Sequence, residues 1–185
     1  MFSRDVRDAS SGGSLVSAAM TRKQRLSALD REVQEVLKDV RELLLDAVEE
    51  TIRTGSPEPA RDRIVVITEI DAEVTSLDED PIGQTLALVC LLQWLSRSAR
   101  DENFRPEPDA VLDWIGEHLG KRYQARARYV IGGLEPESLR EAVSVYADAL
   151  GDDLLPALVW IAAALTVLYG DGDPSWLEEE PATRR

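Results

Sequence analysis

His118 is the only histidine in the chain, so a His-based metal site, or a Ser-His-Asp or Cys-His nucleophilic arrangement, must be built around it. Asp113 and Glu117 stand near it and would supply part of a metal set. No Glu-x-x-His pair of the kind that holds metals inside helical bundles is present, however. A polar position on a helix closing at Gly120 is the simpler account of His118. The one cysteine, Cys90, lies inside the apolar run 86–92, where a thiol behaves as a small hydrophobe. A single thiol makes no internal disulfide, which suits a reducing cytoplasm.

The carboxylates spaced as magnesium ligands are incomplete sets. Glu32 and Glu35 have Glu-x-x-Glu spacing without a Glu-x-x-Asp partner, and Asp152-Asp153 has no matching downstream Asp. The run Asp78-Glu79-Asp80 precedes a helix start, where carboxylates serve capping and the helix dipole. Glycines fall at helix ends and form no phosphate loop. No catalytic residue, cofactor or metal is expected, and an enzyme is not the reading these residues favour.

Residues suited to binding are more numerous. Lys121, Arg122, Arg126 and Arg128, interleaved with Tyr123 and Tyr129, form the one cluster that is both basic and aromatic. Such a face can grip a phosphate, a nucleic-acid end or an acidic partner. The plainer account is a solvated face, with Glu117 pairing Lys121 four residues on. Leu45 and Ile52 fall opposite the main apolar stripe of the first helix and need cover from the chain itself or from a partner. In the acidic tail, Ser175 and Glu178 have capping-box spacing, so one helical turn would present Trp176 and Leu177. These two either anchor a partner or dock on their own domain.

The elements that must position these groups are helices. Hydrophobic residues make up 44% and aromatics only 5%, so aliphatic side chains must fill the core. Leu26, Leu29, Val33, Val36, Val40, Leu43 and Ala47 alternate spacings of three and four, widened by Leu37 and Leu44, which predicts a long amphipathic helix over 21–55. Residues 56–80 form an acidic connecting segment. There, Ile67, Ile70, Val74 and Leu77 favour a helix over 60–77, although 64–67 also reads as a strand. Helices follow at about 81–98, 108–119, 121–131, 136–150 and 152–169, punctuated by Pro near their starts and Gly past their ends. The apolar stretches 86–95 and 154–169 should be the most buried, being too short for the ~20 residues of a membrane span.

The expected architecture is all-α and a single domain. A mobile tail (1–20) precedes a helical domain (21–170), in which the long helix (21–55) packs on, or reaches out from, a bundle of five or six shorter helices with its core in 81–170. An acidic tail (171–185) follows.

The net charge of −14 is concentrated in 56–80 (−6) and 134–185 (−8), which disfavours direct nucleic-acid binding and anionic membranes. The 18 Arg against 3 Lys suit a GC-rich bacterial genome. The expected role is a non-enzymatic cytoplasmic interaction module (adaptor, regulator or assembly subunit) that binds a protein partner, itself, or both. Homo-oligomerisation would run through the long helix. An acidic, nucleic-acid-mimicking inhibitor of a DNA- or RNA-binding protein is the alternative, although its acid clusters are not arrayed along one helix face. A small-molecule or lipid-binding bundle is the third.

Overall fold

The computed structural model describes residues 22–73, 82–100, 107–131 and 151–178. Among them the regular elements are helical throughout: α1 (Arg22–Thr54), α2 (Glu58–Glu73), α3 (Ile82–Arg100), α4 (Pro108–His118), α5 (Lys121–Ile131) and α6 (Leu154–Tyr169). Short 3-10 turns occupy Gly151–Asp153 and Pro174–Leu177. The all-α expectation therefore holds. Thr21 with the tail before it, the helix expected over 136–150 and the last residues, 179–185, lie outside the described residues. The chain divides into two compact units, Met1–Val33 and Gln34–Arg185. Within the first, the described element is the opening of α1.

The second unit is organised around α6. Its sequence is apolar on every side, and a helix of that kind is stable in water only when surrounded. Here α2, α3, α4 and α5 all pack against it. Residue 154 and residues 156–166 are buried, with Trp160, Leu158, Ile161 and Leu165 among the largest fully buried side chains. By length and composition Gly151–Tyr169 could cross a membrane, but most of it is buried within the fold. The stretch 86–95 is less enclosed than expected: Leu86 and Leu88 are half-buried and Val89 is 42% exposed.

The α1 stripe is centred on Val36, Val40, Leu44, Ala47, Val48 and Thr51, with Leu43 only half-buried. Gly55, with φ +59°, closes the helix by donating its N–H to the Thr51 carbonyl at 3.0 Å, a left-handed cap that a glycine adopts without Cβ strain. Residues 64–67 are helical. Ala60 and Ile67, seven residues apart, are fully buried on one side of α2, and no second strand exists among the described residues to pair with an extended segment.

The entrance of α6 lacks a side-chain cap, and the expected cap of the tail turn needs correction. Asp153 holds the position before the helix and makes no side-chain cap, because its carboxylate is taken by arginines. In the tail the cap is Asp173 rather than Ser175. The Asp173 carboxylate accepts the Ser175 N–H at 2.9 Å, and that bond holds its pKa below the usual Asp value.

Candidate functional site

Where α2 passes the start of α6, a groove of about 480 Å³ opens, floored by Ile64, Val65, Leu155 and Pro156 and edged by Thr68 and Gln84. Its closed end is an ionic joint. Arg61 reaches Asp153 Oδ1 at 2.9 Å and Glu58 at 3.3 Å, while Arg126 of α5 pairs with the other Asp153 oxygen. One carboxylate thus ties α2, α5 and the entrance of α6 together. The Arg61 guanidinium lies 5.4 Å from the Tyr123 ring centroid and 5.8 Å from that of Trp160. Those two rings meet edge to face at 4.9 Å, and the Trp160 indole donates to the Pro57 carbonyl at 3.2 Å. Burial alone would lower the Arg61 pKa. The hydrogen bond and charge of Asp153, with smaller contributions from Tyr123 and Glu58, outweigh it and raise the value.

Beside the groove α2 exposes apolar surface: Val65 is 57% and Val66 36% exposed. The rim around them is acidic, with Asp62, Glu69 and Asp152 all exposed. Such a strip is shaped to receive apolar side chains, and its rim to receive cations.

The basic cluster is split. Arg126 turns inward to Asp153, whereas Lys121, Arg122, Arg128 and Tyr129 face solvent, Tyr129 being 61% exposed. The expected Glu117–Lys121 pair does not form, and none of the three outward cations has an ion-pair partner among the described residues.

Leu45 and Ile52 do not form a second face. Both lie at the margin of the α1 stripe, half-buried against the core, and Leu45 with Leu37 and Arg41 lines a groove of about 260 Å³. The face opposite the stripe is acidic instead. Glu35, Asp39, Glu42, Asp46 and Glu49 are all exposed at alternating spacings of four and three, so acids are arrayed along one helix face after all.

Trp176 and Leu177 are buried on their own fold rather than projecting to a partner. The indole donates to the Thr166 hydroxyl at 3.0 Å, and a Cβ on Gly170 would lie 2.3 Å from the Trp176 ring. An apolar pair beside the acidic tail gains more from burial than from exposure, and α6 supplies both the hydroxyl and the gap.

His118 stacks on Trp114 at 4.7 Å, with Nδ1 2.9 Å from the Trp114 carbonyl, which can only accept and so places the proton there. Burial pushes the Cys90 thiol pKa up, opposed by nearby Arg41. Among the described residues no three His, Cys, Asp or Glu side chains converge as a metal set.

Sequence reasoning missed the Arg61–Asp153–Arg126 joint and the groove. A partial signal existed for Val65, which falls opposite the Ile67–Ile70 stripe at ~100° per residue, while Val66 falls at the stripe's edge. Comparison with known families, curated proteins and solved structures finds no match to this chain.

Proposed function

We propose that this chain is a single all-α domain with a long N-terminal helix, acting as a non-enzymatic, cytoplasmic protein-interaction module. The observation that carries this reading is the apolar strip Val65–Val66 beside the α2–α6 groove, exposed within an acidic rim. Exposed β-branched residues at the mouth of an apolar groove favour a partner helix or loop that adds its own apolar side chains and carries Lys or Arg at its flanks. Direct nucleic-acid and membrane binding remain disfavoured by the charge of −14. The test is capture from the native host, with and without nuclease, using the wild type beside a Val65→Ser, Val66→Ser variant. A stoichiometric, nuclease-resistant protein retained by the wild type and lost by the variant supports the module; equal capture by both would sink the groove as its site.

The acidic stripe of α1 gives the nucleic-acid-mimicking inhibitor a concrete surface. That reading expects salt-sensitive capture of a basic nucleic-acid-binding protein, abolished by reversing Glu35, Asp39 and Asp46 while the groove variant leaves it intact.

A further inference from the structure

The outward face of α5 is a cationic surface in a strongly acidic chain. Lys121, Arg122, Arg128 and Tyr129 lie within one arc of the helix, and α5 contains no acidic residue. Lys121 and Arg122 occupy its first turn, where the positive end of the helix dipole disfavours cations and the helix itself places no acid. Local rules broken without compensation among the described residues mark candidate binding surfaces.

The complementary surface is on α1. Of Glu35, Asp39, Glu42, Asp46 and Glu49, only Glu42 has an ion-pair partner among the described residues, Lys38 at 3.6 Å, and that pair is itself exposed. The intervals match. Lys121 and Arg128 are seven residues apart, as are Glu35 and Glu42, Asp39 and Asp46, and Glu42 and Glu49. Seven residues of helix advance about 10 Å, so cations and carboxylates share one spacing.

We propose that the α5 face of one copy docks on the α1 acidic stripe of a second copy, forming a salt-sensitive self-association. The pairing uses arginine forks on carboxylates, with Tyr129 adding contact area. Two copies of net charge −14 repel at long range, which the ~8 Å Debye length at about 0.15 M salt suppresses while leaving contact pairs in place. Association is therefore strongest at moderate ionic strength and fades at both extremes. This contact is independent of the α2 groove, so either can fail without the other.

Sedimentation velocity across ionic strength tests it with the full chain. The wild type should self-associate near about 0.15 M salt and dissociate near about 1 M, where screening reaches ~3 Å. Reversing the cations (K121E with R122E and R128E) should weaken association at least about tenfold, with the helical circular dichroism unchanged. Reversing the acids (E35K with D39K and D46K) should do the same, and mixing the two variants should restore a complex between them. A wild type that stays monomeric at every salt concentration, or association unmoved by either reversal, overturns the proposal. So does failure of the mixed variants to recombine when each remains folded.

Discussion

Helices α6 and α2 are both rich in β-branched and aliphatic residues, yet they end in opposite environments. In α6 nearly every residue from 154 to 166 is buried, whereas the apolar run of α2 splits: Ile67 is fully buried and Val65 is 57% exposed. The difference lies in the neighbours. Four helices surround α6, while α2 packs on α3 and α6 and has open groove on the flank carrying Val65. Apolar composition thus says that a segment wants cover, and only the packing says whether its own chain supplies it.

The contrast can be broken most severely at Trp160. Trp160→Ala removes a fully buried ring from the centre of α6, its bond to the Pro57 carbonyl and the edge contact with Tyr123. A loss of about 3–5 kcal/mol is expected in urea unfolding; a loss under about 1 kcal/mol would mean α6 is not the centre of the core.

Gly170→Ala acts at the other end of α6. The added Cβ meets the Trp176 ring, so the tail turn must shift, at about 1–3 kcal/mol by the usual cost of overpacking. Displacement of Trp176 should appear as a red shift in tryptophan emission, and an unchanged spectrum and midpoint would contradict the docking.

Asp153→Asn probes the joint between the two helices. Among the described residues it leaves Arg61 with only Glu58 and Arg126 without a carboxylate, at side-chain exposures of 29% and 25%. A loss of about 1–2 kcal/mol in the urea midpoint at unchanged slope is expected, near the top of the exposed-pair range because one group serves two arginines.

The smallest stability effect belongs to the Val65→Ser, Val66→Ser variant, within about 0.5 kcal/mol, since neither side chain is enclosed. Loss of more than about 1 kcal/mol would show that α2 is covered by its own chain and would weaken the groove as a partner site.

Much of the fold was legible because helix periodicity is local. The all-apolar character of 154–169, Pro108 at the first turn of α4 and the glycine closing α1 each mark an element from a few adjacent residues. The helical state of 64–67 was visible as a period despite β-branched composition. The acidic stripe of α1 was equally readable from its spacing, and counting acids by chain segment rather than by helix face concealed it.

What the sequence by itself determined is therefore the all-α class, most helix boundaries in the described segments and the surplus of acid, because propensity, periodicity and charge act over one or two turns. Only the tertiary structure decided that Asp153 serves two arginines instead of capping α6, that Arg126 leaves the basic cluster while Lys121, Arg122 and Arg128 remain outside, and that Trp176 folds back onto Thr166. Those outcomes join residues 10 to 92 positions apart. At that separation the partner of a polar or aromatic group is set by which helix faces happen to meet, and no local pattern encodes it.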